Sequence, residues 1–138
     1  MINKLFAHTD LMTKSLDASW LRKEVIAQNV ANADTPGYKS KRVEFEAEFR
    51  AALTRSPDRF KAKRTRARHI EFGRETDPLS VRPVIAENNH YTMKMDGNNV
   101  DIDHEMTEEA KNTILYETLV TKVSREMARL KTAIRDVR

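Results

Sequence analysis

The residues best suited to bind a metal ion lie in one acidic stretch, just before the final helical pattern. The string His104 to Glu108 begins like a zinc-protease motif, but it lacks the second histidine that completes the ligand pair. Asp101, Asp103 and Glu105 alternate as in a calcium-binding loop, yet Met106 stands where that loop requires glycine. We therefore interpret the stretch as the acidic start of a helix and predict no metal site.

Residues for covalent or cofactor chemistry are also missing from the sequence. The chain has no cysteine, which excludes disulfides and thiolate chemistry. It has neither a Gly-x-Ser-x-Gly elbow nor a glycine-rich phosphate loop. We predict no catalytic residues, no cofactor-binding residues and no enzymatic activity.

Positive charge is concentrated between Arg50 and Arg74. That stretch holds nine Lys or Arg against two acids, a net charge of +7, so the rest of the chain carries −3 of the total of +4. Such a cluster can neutralise phosphates, but only Phe60 and Phe72 could stack on bases and no helix-turn-helix is evident. We favour a solvated loop or a protein contact, with proximity to acidic lipid as the less favoured reading, and we expect no nucleic-acid partner.

The composition of the 138-residue chain favours long, partly exposed helices. Charged residues make up 33%, hydrophobic residues 39% and aromatic residues 7%, a mixture that supports only a lean core. No apolar run reaches the roughly 18 residues that a membrane-spanning helix needs. Residues 1–14 lack the apolar region and the cleavage site of a secretory signal, so we expect none to be cleaved.

The string from Asn29 to Lys39 predicts a defined turn after a helix. Asn32 can take the left-handed conformation that often closes a helix, and Thr35 is expected to be extended because a proline follows it. Pro36 and Gly37 suit the second and third positions of a type II turn, the third of which needs a positive φ. We take as the structural turn motif Asn29, Asn32, Thr35, Pro36, Gly37 and Tyr38.

Two long helical patterns flank a middle segment that has no sustained periodicity. The first spans about Leu5 to Ala31, and its apolar residues form a broad stripe. The second runs from about Asp103 to the end of the chain, and its apolar residues follow alternating steps of four and three, as in a coiled-coil seam. The members of this seam, which we expect to pack subunits together, are Tyr116, Val120, Val123, Met127, Leu130, Ile134 and Val137.

These patterns predict a mainly α protein, with long N- and C-terminal helices paired as a coiled coil and a small middle segment that contains some β structure. The expected divisions are 1–38 (helix and turn), 39–99 (middle segment with the basic linker) and 100–138 (C-terminal helix). In the middle we expect a short helix over 44–53, extended pieces at 69–72 and 81–85, and a turn at 96–99. Helices of roughly 40 and 50 Å exceed the roughly 14 Å radius of a compact domain of this size, so we predict self-association.

Motifs at both ends of the chain carry a family resemblance. The turn motif resembles the N-terminal signature of bacterial flagellar rod and hook proteins. A second string, before and within the start of the heptad helix, resembles their other signature. The short middle segment excludes hook proteins and the distal rod protein. The segment Arg68-His69-Ile70, together with residues 35–38 and 101–106, looks most like the proximal rod members. The residues of this second motif are Asn98, Asn99, Val100, Asp101, Glu105 and Met106.

That resemblance implies a structural subunit of a helical tube whose inner layer is formed by the terminal helices. It also implies export through the flagellar type III apparatus without a cleaved signal, assembly in the periplasm, and a need for the subunit in motility. The implied partners are further copies of the chain, FlgC-like and FlgF-like rod subunits, a FliE-type adaptor and a FliF-type inner-membrane ring. The alternative is a self-associating coiled-coil adaptor outside the flagellum or, less favoured, a nucleic-acid-binding protein that uses the basic segment.

Overall fold

A computed structural model describes residues 2–54, 77–88 and 92–135, with side chains from residue 6 onward. The elements in chain order are α1 (Ile2–Ala31), β1 (Lys41–Glu44), α2 (Glu46–Thr54), a short 3-10 helix (Pro78–Ser80), β2 (Val84–Glu87) and α3 (Ile102–Arg135). The predicted fold class, mainly α with a small middle segment, is confirmed. Most of the basic linker, the extended piece expected at 69–72 and the last seam residue, Val137, lie outside the described residues.

The two long helices pack against each other in antiparallel orientation. Asn112 of α3 donates to the Ser19 carbonyl of α1, while Glu105, one turn after the start of α3, meets Asn29 near the end of α1. A rise of 1.5 Å per residue makes the 34-residue α3 about 51 Å long. The pair is therefore a long hairpin rather than a globular bundle.

Helix α3 begins where the acidic cluster was expected to start a helix. The Asp101 side chain accepts hydrogen bonds from the backbone N–H groups of Asp103 (3.0 Å) and His104 (3.3 Å), which otherwise lack partners at a helix start. Asp103 and Glu105 add negative charge to the first turn, where the helix dipole favours it. The acidic cluster is thus the N-terminal cap of α3.

The middle segment forms a two-stranded antiparallel sheet and one short helix. Strand β1 pairs with β2 in a register that sets Lys41 opposite Glu87 and Glu44 opposite Val84. The extended piece expected at 81–85 lies three residues later, in β2, and the short helix expected at 44–53 is α2, displaced by two residues at its start. Strand β1 was not predicted from the sequence.

The apolar core lies between α1 and the middle segment, not along the α1–α3 seam. Its buried residues lie in α1, β1 and α2, immediately before α2, and immediately after the 3-10 helix. Leu21 and Phe49 pack against them. The core is small, and no helix in the described part of the chain is long and apolar enough to cross a membrane. The core residues are Ala18, Val25, Val43, Phe45, Ala52 and Val81.

Candidate functional site

The turn after α1 has the predicted geometry at Pro36-Gly37. The Tyr38 N–H donates to the Thr35 carbonyl (3.3 Å), and Gly37 has a φ of +72°, as the third position of a type II turn requires. Gly37 also donates its N–H to the Asp96 carbonyl at 3.0 Å. The first motif is therefore attached directly to the chain that precedes the second motif.

The expectation for Asn32 is wrong, because Gly37 and Gly97 are the only described residues with positive φ. The Asn32 N–H donates to the carbonyls of Gln28 and Asn29 (both 3.1 Å), and its side chain also donates to the Gln28 carbonyl. The helix thus ends by tightening its last turn. Groups from another part of the chain satisfy the carbonyls that a left-handed cap would otherwise satisfy locally.

Asn98 supplies those groups. Its side-chain amide is fully buried and donates to the carbonyls of Asn32 (3.0 Å), Ala33 (2.9 Å) and Thr35 (2.9 Å). Its side-chain oxygen accepts the Val100 N–H at 2.7 Å. One side chain of the second motif therefore caps the end of α1 and also shapes the chain that leads into α3.

Asn29 makes the corresponding contacts from the first motif. Its side chain is fully buried; its amide donates to the Lys41 carbonyl (2.8 Å) and to the Glu105 carboxylate (3.0 Å). Its oxygen accepts the Lys41 N–H (2.9 Å) and the Tyr38 hydroxyl (3.3 Å). All four hydrogen-bonding positions of the amide are used, and they connect α1, the turn, β1 and α3.

Asn99 fixes the small sheet to the same region. Its side-chain oxygen accepts the Ser40 N–H at 2.6 Å, and its amide donates to the Asn88 carbonyl. Ser40 precedes β1 and Asn88 follows β2, so Asn99 holds the end of the sheet where both meet. We call Asn29, Asn98 and Asn99, with the groups they bind, the asparagine junction.

Two lysines bridge the outer side of the junction. Lys94 donates to the Ala33 carbonyl (2.8 Å) and the Asp34 carboxylate (2.9 Å), and Lys39 donates to the Gly97 carbonyl (2.7 Å). The latter carbonyl belongs to a tight turn in which the Gly97 N–H donates to the Lys94 carbonyl. The turn expected at 96–99 thus begins two residues earlier, at Lys94. Lys39 bonds the first motif region to the second, and Lys94 bonds the second to the first.

Glu105 and Tyr38 are the junction's titratable groups with shifted pKa values. Burial raises the pKa of the Glu105 carboxyl, and the hydrogen bond from Asn29 opposes that rise without cancelling it. The pKa of the Tyr38 hydroxyl is also raised, most of all by burial and next by the negative charges of Glu105 and Glu87. Each group donates to or accepts from Asn29, so their polar atoms are occupied in holding the structure.

The remaining residues of the second motif have separate places. Val100 is buried, Asp101 caps α3, and Met106 is 49% exposed on the outer side of α3. Within the described ranges, no group of three or more His, Cys, Asp or Glu could hold a metal ion. The hydrogen bonds of the junction suit a rigid joint between helices.

The predicted seam on α3 divides into two columns. Tyr116, Val123 and Leu130 are half-buried, on the face where Asn112 bonds to α1. The other column is exposed: Val120 by 39%, Met127 by 44% and Ile134 by 68%. The first column thus lies on the hairpin's inner face, and we call the second the outer ridge.

Both motifs were predictable from the sequence, but the buried polar side chains and the groups that they bind were not. Asn112 is 4% exposed in the helix pair, although a polar residue interrupts the apolar pattern used to predict the seam. Ser19, which accepts its hydrogen bond, is equally buried on α1. Asparagines at a helix end and beside a glycine turn were signals for the junction, but they did not reveal which distant groups they bind.

Comparison with known proteins defines the class of this chain. Residues 21–39, which contain the first motif, match the family described as flagella basal body rod protein. Curated relatives extend the match over most of the chain. It is 35% identical to FlgB of Bacillus subtilis over 123 residues, covering 89% of each protein. It is 31% identical to FlgB of Escherichia coli over 127 residues, covering 90% of each, and 39% identical to FlgB of Borrelia hermsii, covering 78% of this chain and 80% of that one.

The chain therefore belongs to the flagellar basal-body rod proteins, a family of structural proteins. Within that family, its similarity is to the FlgB members. It is a component of the flagellar basal-body rod, and the asparagine junction is where the two motifs expected from the sequence meet in space.

Proposed function

We propose that this chain is a structural subunit of the proximal rod and that it polymerises through α1 and α3 into the periplasm-spanning drive shaft. The observation that carries the proposal is the outer ridge. Its side chains stay 39–68% exposed although α3 is already paired with α1. A repeated apolar column on an exposed helix face is a surface that another helix can cover.

In this proposal, the asparagine junction transmits torque between the helical hairpin and the middle segment. Its carboxamides are buried and bonded to both long helices and to the sheet. Buried polar groups are costly to separate from their partners, so the joint resists bending. The proposed division is a hairpin made of 1–38 and 100–138, which builds the inner layer, and an outer lobe made of 39–99.

The proposed partners follow from membership of the rod family. They are copies of the chain, FlgC-like and FlgF-like subunits, and, at the base, a FliE-type adaptor and a FliF-type ring. We further propose that the flagellar type III apparatus exports the chain without cleaving a signal. The subunit then assembles in the periplasm, with no cofactor and no enzymatic step.

Deletion and complementation in the bacterium that encodes the chain test the function. We expect the deletion strain to lack rods in isolated basal bodies and to lose swimming, and the unaltered gene to restore both. Electron microscopy of the basal bodies and swimming in soft agar are the readouts. A deletion strain that builds complete rods would contradict the proposal, as would a restored strain whose rods do not contain the chain.

A further inference from the structure

An apolar groove of about 320 Å³ opens between α1, α2 and α3. Phe45 and Phe49 stack within it, with ring centroids 4.8 Å apart. Leu115 and Leu119 of α3 form another wall, and Leu53, near the end of α2, is 48% exposed at its edge. Phe45 is buried, so the apolar surface that the described part of the chain leaves uncovered here comes from the half-buried Phe49 and the exposed Leu53 and Leu115.

The groove and the outer ridge begin on different flanks of the side of α3 that faces α1. Tyr116 marks the face of α3 that meets α1, since its ring lies 6.4 Å from that of Trp20. Because an α-helix has 3.6 residues per turn, a residue three positions later lies to one side of that face and a residue four positions later lies to the other. Leu119 is the first of these and lines the groove, whereas Val120 is the second and belongs to the ridge.

The charges beside the two surfaces are complementary. Arg50 lines the groove and has no ion pair among the described residues, whereas the neighbouring Glu46 is paired with Arg22. Glu117 lies one helical turn before Val120, so the two are neighbours on the helix surface, and it too lacks an ion pair in the described part of the chain. The groove thus carries an available cation and the ridge an available anion.

We propose that the groove of one subunit receives the outer ridge of a second copy, with Val120 in the groove and Glu117 beside Arg50. This inference rests on the proposed function, because it specifies one contact of the same polymer. Because the groove and the ridge are different surfaces of one molecule, their pairing between copies is a head-to-tail contact. A head-to-tail contact repeats from subunit to subunit. Unless the rotation between subunits closes a ring, the repeated contact builds an open helical assembly.

Disulfide trapping tests the contact, and the natural absence of cysteine makes every trapped bond interpretable. The probes are Leu53→Cys at the groove and Val120→Cys on the ridge, made in separate full-length chains, and both positions are exposed. An equimolar mixture of the concentrated chains is oxidised and compared with each chain alone. Arg125→Cys, at an exposed position on the far side of α3, replaces Val120→Cys in the control mixture.

We expect mixed dimers of the Leu53→Cys and Val120→Cys chains to exceed either homodimer several-fold, and a chain carrying both cysteines to form a ladder of oligomers. Arg50→Glu or Glu117→Arg alone should lower the yield about two- to five-fold, the effect of losing one exposed ion pair. Making both changes should restore part of that loss. The restoration separates a specific contact from general stickiness.

Three results would overturn the inference. One is mixed dimers no more frequent than homodimers or than those of the Arg125→Cys control. Another is no trapped dimer at all, and the third is protection of Leu53→Cys from thiol reagents in dilute monomer, which would mean that the chain covers its own groove. If one of these results were found while deletion of the gene still removed the rod, the proposed function would stand and only the contact would be wrong. A deletion strain with intact rods would contradict the function itself.

Discussion

The side-chain amide of Asn29 donates to the carboxylate of Glu105 at 3.0 Å, joining two buried residues that are 76 positions apart in the sequence. The contact lies near the end of α1 and the start of α3, so it aligns the two long helices lengthwise. Because the same amide group also binds both backbone groups of Lys41, the helical hairpin and the small sheet share a single fixed point.

Asn29→Ala should strongly destabilise the protein. The change leaves the Lys41 backbone groups, the Glu105 carboxylate and the Tyr38 hydroxyl without their partner, and unsatisfied buried polar groups cost about 1–3 kcal/mol each before the structure relaxes. We expect a total loss of about 2–4 kcal/mol in the free energy of unfolding, measured by urea denaturation. Gln28→Ala, which removes an exposed side chain from the preceding position, is the matched control. Equal stability of the two variants would show that the junction does not hold the hairpin.

Glu105 should make stability depend on pH in a direction opposite to that of most carboxylates. Its folded-state pKa is raised, mainly by burial, so between its ordinary pKa of 4.5 and the raised value the folded state binds more protons than the unfolded state. The contribution of Glu105 to stability is therefore greatest below pH 4.5 and declines as pH rises through that interval. Glu105→Gln keeps an oxygen that can accept from Asn29 and should remove this dependence.

Glu108 provides the control of opposite sign. Lys111, which donates to it, lowers the pKa of its carboxyl, so its stabilising contribution is present above the ordinary pKa and is lost as pH falls through the lowered value. Thermal unfolding of the unaltered chain, Glu105→Gln and Glu108→Gln on both sides of pH 4.5 gives both differences. Two difference curves of the same sign would contradict the assigned environments.

Gly37 should tolerate asparagine better than valine. Apart from Gly37 itself and its two chain neighbours, no residue has an atom within 4 Å of the position that a Cβ would occupy, so the cost of a side chain comes from the φ of +72° and not from a clash. Valine in that region costs about 1–3 kcal/mol, whereas asparagine enters it more readily. We expect Gly37→Val to lower the unfolding temperature, to displace the link to Asp96 and to impair rod assembly more than it lowers helix content. We expect Gly37→Asn to have a smaller effect, and equal effects of the two would show that φ is not the constraint.

The parts of the fold that were predictable are those in which nearby residues share one physical requirement. Alternating steps of four and three predicted α3, and Pro36-Gly37 predicted a turn that needs a positive φ. Strand β1 gave no such signal, because it has four residues and only Val43 among them is buried. It becomes a strand through pairing with β2, whose partner residues lie 40 to 46 positions later.

The error at Asn32 and the omission of Asn112 share a physical cause. A left-handed cap at Asn32 would satisfy orphan carbonyls locally, but the side chain of Asn98 does so from 63 to 66 positions away. Asn112 is buried because it bonds to the Ser19 carbonyl, 93 positions earlier. Local patterns do not contain these partners, so they cannot distinguish a buried bonded asparagine from a solvated one.

We propose that the two columns of the α3 seam have different roles, the inner one within the hairpin and the outer ridge between subunits. Leu130 is half-buried on the inner face of α3, so Leu130→Asp should place a charge there and open the helical hairpin of the isolated chain, a cost of several kcal/mol. Arg129→Asp changes a neighbouring residue whose side chain is 80% exposed, and it should be much milder. Met127, on the outer ridge, is 44% exposed, so Met127→Asp should leave the isolated chain intact.

The most direct measurement is therefore rod assembly by the Met127→Asp chain, set beside the unfolding temperature of the same purified chain. We predict an unfolding temperature within a few degrees of the unaltered protein's, together with basal bodies that lack a rod. Normal rods and swimming with Met127→Asp would contradict the claim that the outer ridge joins subunits. A chain that unfolds as readily as Leu130→Asp would show that the ridge instead supports the monomer.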